Sequence, residues 1–148
     1  MEAWEIEARE EIRRTIAEYT NRGDFGDADA FAALFTEDAE LDIKDGPTHR
    51  GHAEIRAMVA GAPLREGSPR GDGTHRRGPL RHHVSSIHIE FESPERARCI
   101  SYFLVVGPDG PDHWGRYTDE LVRAGDRWRF RRRRASVDAR AQDAGGSA

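Results

Sequence analysis

The sequence predicts an α+β fold, with three helices at the N-terminal end and a curved antiparallel sheet after them. Three observations lead there. Apolar residues recur at helical spacing over the first 60 positions, four long stretches after position 80 alternate with a two-residue period, and turn-forming residues separate those stretches. Helices first and strands after is the pattern of a sheet with its helices gathered on one side.

The first helix is predicted over residues 3–20, where Ile12, Ile16 and Tyr19 stand at i, i+4 and i+7 with Glu and Arg on the opposite face. Gly23 and Gly26 end it. A short second helix at 27–36 has Asp27 as its cap and Phe31, Leu34 and Phe35 on one face. Ala39 to Ile43 reads as a strand, turned by Asp45-Gly46-Pro47. A third helix, 51–60, buries Ile55, Met58 and Val59. Residues 61–80 are rich in Gly, Pro and Arg and have no period; a loop of that length is expected to be mobile, functional or both. Its Arg70-Gly71-Asp72 triplet reads as chance. Strands follow at 82–92, 96–107, 112–123 and 127–137, joined by Ser93-Pro94-Glu95, Gly107-Pro108-Asp109-Gly110 and Ala124-Gly125-Asp126. One domain over 1–138 and a disordered tail over 139–148 complete the expectation.

Composition narrows the function classes. At 148 residues with 36% hydrophobic and 34% charged residues, the chain can form a single modest core. A formal net charge of −4 argues against nucleic acid as the main partner. The run Arg131 to Arg134 alternates between strand faces and is expected on a solvated edge. A lone Cys99 excludes an internal disulfide and fits a reducing cytoplasm. The acidic, helical start is no signal peptide, and no apolar run approaches membrane-spanning length. A cytoplasmic protein without membrane contact is expected.

The residues that carry chemistry are Asp24, just after the first helix, and the pair His82-His83 at the start of the longest β-patterned stretch. A carboxylate within reach of an imidazole fixes the ring's orientation and tautomer, and the ring then moves a proton. Alone, Asp24 also reads as a turn residue bonded to its own backbone, and the histidines as solvated residues. Tyr19 has helix-core spacing with a hydroxyl that can reach a pocket. Trp114 and Tyr117 either line a pocket or fill the core, whereas Trp128 and Phe130 read as core. His49, His52, His75 and His88 read as surface. The histidines lack a paired-ligand spacing, so neither a metal site nor any other cofactor is expected.

This order of elements resembles the SnoaL-like branch of the NTF2-like superfamily, a conical α+β barrel. The resemblance covers about residues 5–137 and is carried by Tyr19 with Asp24-Phe25-Gly26-Asp27, by the segment Phe31 to Glu40, by Arg81 to Ile87, by Tyr117-Thr118-Asp119-Glu120 and by Trp128-Arg129-Phe130. Each piece is weak alone; five in order are specific for the fold and less so for activity. The superfamily includes scytalone dehydratase, bile-acid dehydratases, the dehydrochlorinase of lindane, polyketide cyclases and ketosteroid isomerase, together with non-catalytic binding domains. In its dehydratases and the dehydrochlorinase, an Asp after the first helix pairs with a His opening the long strand, and Asp24 and His82 match them by position. Scytalone dehydratase uses a second histidine, near whose place His113 falls.

Strand geometry adds a conflict. Ile87, Ile89 and Phe91 share one face of the strand at 82–92, and counting back by twos puts His83 on that face and His82 on the other. The resemblance selects His82; an unbroken strand selects His83. One extra residue near Val84 would reconcile them, because a bulge reverses the facing of everything before it. On that ground Asp24 and His82 are the catalytic candidates, and Tyr19, His83, His113, Trp114 and Tyr117 the substrate-binding ones. The resulting expectation is a cofactor-independent dehydratase, isomerase or cyclase acting on a hydrophobic, aromatic or polycyclic small molecule. The excess of Arg over Lys, 22 of 23 basic residues, associates it with polyketide or other secondary metabolism of GC-rich bacteria. The alternatives are a non-catalytic binding or assembly domain of the same fold, and a hydrolytic activity such as epoxide opening. The strand at 96–106 is apolar on both faces, which predicts a homodimer through the outer face of the sheet.

Overall fold

The computed structural model of the chain describes residues 1–60, 73–74 and 78–141. Within them α1 (Ala3–Phe25), α2 (Ala28–Ala32), β1 (Phe35–Ile43), β2 (Thr48–Arg50) and α3 (Gly51–Val59) precede β3 (Arg81–Ser93), β4 (Arg96–Gly107), β5 (Gly110–Ala124) and β6 (Arg127–Arg140). The strands form one curved, unclosed sheet in the order β2-β1-β6-β5-β4-β3. All neighbours are antiparallel except β1 and β6, which run parallel. The architecture is therefore the expected α+β arrangement, with one parallel pair in a sheet expected to be antiparallel throughout. β1 joins the meander at β6, one of its two edges, and β3 remains the edge at the other end of the sheet.

Several boundaries differ from the sequence reading. Helix α1 continues to Phe25 and ends at Gly26, whose φ of 72° is the left-handed cap that glycine adopts without strain. Asp24 thus belongs to the last helical turn. The second helix stops at Ala32, and Phe35 and Thr36 already belong to β1. The turn at Asp45-Gly46-Pro47 leads into β2, a three-residue strand. Strand β6 reaches Arg140, so residues 139 and 140 of the expected tail belong to the sheet. Residues 142–148 of that tail, and residues 61–72 and 75–77 of the expected loop at 61–80, lie outside the described residues.

The core fills the concave side of the sheet. Ile12 and Ile16 of α1 are 0% and 1% exposed, as their spacing predicts; each is worth about 1.5–3 kcal/mol of hydrophobic burial. Tyr19, Phe31, Phe35 and Phe130 form an aromatic cluster with ring centroids 4.8–6.2 Å apart. Thr15, fully buried on α1, donates its hydroxyl to the Trp128 carbonyl at 2.7 Å and ties the helix to β6. Trp128 and Phe130 are core, as read.

Candidate functional site

Interruptions in strand pairing decide which polar side chains enter this interior. In β3, Ser85 pairs with Tyr102 but His88 pairs with Ile100, so that strand holds one extra residue there. Ser86 carries it with φ of 51°, an uncommon backbone for a residue with a β-carbon. Past this bulge Ile87, Ile89 and Phe91 face inward; before it His82 and Val84 do. The irregularity expected near Val84 therefore exists, two residues further on. It turns His82 toward α1 and His83 to the outer face, where it is exposed opposite Leu104.

The Asp24 carboxylate holds His82 twice. One oxygen lies 2.6 Å from Nδ1 of the ring, and the other accepts the main-chain N–H of His82 at 3.0 Å. With the carboxylate as acceptor, Nδ1 carries a proton, so that in the neutral ring the lone pair is on Nε2. The Asp24 side chain is 6% exposed and that of His82 28% exposed, so the acid is sequestered while the imidazole keeps access. Beside them the guanidinium of Arg81 stacks over the Phe25 ring at 4.8 Å. This second clasp between the end of α1 and the start of β3 helps fix the separation of acid and base.

A second polar cluster lies deeper, and the sequence reading missed it. In β6, Phe130 pairs with Leu121 but Arg132 with Glu120, which makes Arg131 an extra residue and reverses the facing beyond it. Arg133 is therefore fully buried, and not on the solvated edge expected for the Arg131–Arg134 run. Its Nε and Nη2 each donate to one oxygen of Asp119 at 2.8 Å, a bidentate pair between residues in direct register. The guanidinium also lies 3.9 Å from the Tyr117 ring centre, 4.2 Å from Tyr19 and 4.4 Å from Phe130. Burial pushes the Asp119 carboxyl upward against the pull of Arg133. The bidentate geometry nevertheless needs both oxygens as acceptors, so the pair is ionic. Burial opposes the Arg133 charge too, but the charge and hydrogen bonds of Asp119 outweigh it and hold the guanidinium above its ordinary range. Nη1, equally buried, makes no hydrogen bond to the described residues. The signal in the sequence was an acidic residue, Asp119, alternating with Tyr117 and Leu121 on one face of its strand.

The remaining candidates divide by face. Tyr19 and Tyr117 are buried on the concave side 5.7 Å apart, and burial raises the pKa of both phenols, which therefore stay protonated. His113 is also on this side, edge-on to Phe103 at 5.9 Å. Trp114 is 38% exposed on the outer face beside Leu104, so the structure does not bring it to the dyad; nor does it bring His83. His52, read as surface, is half-buried and lies 2.8 Å from the Phe35 carbonyl. Burial pushes the Cys99 thiol up to about 12 and leaves it inert. Among the described residues no group of three His, Cys, Asp or Glu side chains could hold a metal ion, and no helix is long and apolar enough to cross a membrane.

Comparison with known proteins agrees with this fold. A SnoaL-like domain is matched over residues 4–134. Among solved structures, a Novosphingobium aromaticivorans protein provisionally named scytalone dehydratase superposes with a TM-score of 0.77 at 24% identity, covering 100% of both chains. An NTF2-like protein with a cystatin-like fold from the same species gives 0.74 at 26% identity, over 97% of this chain and 86% of the other. A hexachlorocyclohexane dehydrochlorinase from Novosphingobium barchaimii gives 0.75 at 17% identity, over 96% and 94%. No curated protein matches the chain.

Proposed function

Since the chain belongs to the SnoaL-like domain family, we propose that it is a cofactor-independent acid/base enzyme of the lyase or isomerase type. Its substrate is a hydrophobic, aromatic or polycyclic small molecule with an activated C–H bond, from polyketide or other secondary metabolism. The observation that carries this reading is the 2.6 Å contact between a sequestered Asp24 and an accessible His82. Nε2 of His82 takes the proton, and Asp24 stabilises the imidazolium that forms. Tyr19, Tyr117 and Phe103 supply the aromatic lining for a flat substrate. Arg133, already oriented by Asp119, places a fixed positive charge behind those rings, where negative charge develops on a carbonyl oxygen or leaving group.

Elimination of a β-substituent heads the outcomes, ahead of isomerisation and cyclisation, because two structural relatives bear the names of a dehydratase and a dehydrochlorinase. The same reading has the chain working in the cytoplasm as a homodimer. Ile100, Tyr102, Leu104 and Trp114 stand exposed on the outer face of the sheet, and this apolar patch supports a second copy as its cover.

The test is base chemistry on a simple probe. Cyclic aryl ketones such as 2-tetralone, and β-hydroxy ketones of similar size, are incubated with the protein in D2O and followed by NMR for deuterium uptake and loss of water. Uptake or elimination above buffer that disappears in His82→Ala is expected. A panel that reacts no faster than buffer, or reacts equally with His82→Ala, would overturn the proposal.

A further inference from the structure

The concave face carries a second carboxylate–imidazole contact that the dyad does not use. His82 pairs with Val105 across β3 and β4, and Val105 pairs with His113 across β4 and β5. The two imidazoles therefore flank one valine on the same side of the sheet, rising from backbones about 10 Å apart, two strand spacings. In an unbroken strand Asp112 could not touch the ring of His113, because consecutive side chains face opposite ways. Here β5 is interrupted: Val105 pairs with His113 but Val106 with Pro111, leaving Asp112 as the extra residue. The Ala141 N–H donates to the Asp112 main-chain carbonyl at 2.8 Å and holds this bulge against the end of β6. Asp112, 1% exposed, thereby turns inward, and its carboxylate lies 2.7 Å from Nδ1 of His113.

We propose that Asp112 is a positioning residue that holds His113 as a neutral imidazole protonated on Nδ1. Nε2 is then a hydrogen-bond acceptor on the face shared with His82, where it takes a hydroxyl of the substrate. The inference rests on the acid/base reading above only in assigning both rings to one substrate. Every charged neighbour of the ring bears on its protonation. Burial is the largest influence and lowers its pKa, Asp112 raises it, and Arg140, opposite in register on β6, and His82 both lower it. The net direction is downward, so the ring is neutral near pH 7, and its one proton is committed to Asp112. A neutral acceptor selects a substrate bearing a donor; an ether or a bare carbonyl would leave Nε2 without a partner in a desolvated setting.

The experiment is long-range 1H–15N correlation of the full-length, 15N-labelled protein, with the His113 and His82 signals assigned from His113→Gln and His82→Gln. The wild-type protein at pH 7.5 should show His113 protonated on Nδ1. In Asp112→Asn, His113 should change tautomer and titrate lower, with the His82 signals unmoved. Phenol should shift the His113 Nε2 resonance, and anisole, which has no donor, should not. A wild-type His113 protonated on Nε2, an unchanged tautomer in Asp112→Asn, or equal or absent responses to phenol and anisole would each overturn the proposal. The wild-type spectrum decides the tautomer even if Asp112→Asn fails to fold. The dyad is read separately, because Asp24→Asn should alter His82 and leave His113 as it was.

Discussion

Replacing Asp24 by asparagine keeps the shape of the site and reverses its chemistry. In the native protein one carboxylate oxygen accepts the His82 main-chain N–H at 3.0 Å and the other faces Nδ1 at 2.6 Å. Asparagine has one oxygen and one NH2 group for the same two positions. If its oxygen keeps the main-chain bond, its NH2 faces Nδ1, the ring must accept there, and the proton moves to Nε2. The free lone pair of His82 then points at the amide and away from the substrate, the same tautomer logic that governs acid–histidine pairs in serine proteases. The imidazolium also loses its counter-charge. Two unit charges about 4 Å apart interact by about 4 kcal/mol at an effective dielectric of 20. At about 1.4 kcal/mol per decade, that sets a ceiling near 10³-fold on the loss of turnover from charge alone. The assay is deuterium uptake by 2-tetralone, or turnover of any verified substrate, for Asp24→Asn, His82→Ala and the double variant. Each single should lose about 10²–10⁴-fold. The double should be little worse than the poorer single, because two groups acting as a unit do not contribute additively. His83→Ala, on the outer face, should turn over normally. An Asp24→Asn variant within threefold of the native rate, or additive losses in the double, would refute the dyad.

Other expectations concern the rest of the molecule. Asp119→Asn leaves Arg133 buried with an uncompensated charge and should cost about 3–5 kcal/mol in urea denaturation, while Asp119→Leu combined with Arg133→Met should recover much of that loss. His113 has a folded pKa below its ordinary 6.5, so unfolding takes up a proton in the window between the two values. Its contribution to stability is complete above pH 6.5 and falls away as the pH drops through the folded pKa; the difference in melting temperature between the native protein and His113→Gln should change over that window and be constant above it. Sedimentation at micromolar concentration should show a homodimer that Tyr102→Glu or Trp114→Glu converts to monomer with the dyad intact; a native monomer would remove the outer face as an interface.

How much of this was legible in the sequence follows from which physical signal each feature leaves. The 3.6-residue spacing of Ile12, Ile16 and Tyr19 is local, and it placed α1 and its buried stripe without reference to anything else. The two-residue alternation and the turn residues did the same for β3 to β6. Asp24 and His82 were readable as a pair through resemblance, and strand parity alone would have chosen His83. What only the tertiary structure decided is the facing of side chains beyond a bulge. A single extra residue, at Ser86, Asp112 or Arg131, reverses every side chain on one side of it while leaving the apolar pattern on each side intact. Where that residue falls depends on pairing with a neighbouring strand, which no local window contains. Thus Arg133 read as one of four solvated arginines and is buried against Asp119, and Asp112 read as part of a turn-flanked strand start and holds His113. The sequence by itself determined the elements other than β2, and their order; the register between strands determined which charges lie inside.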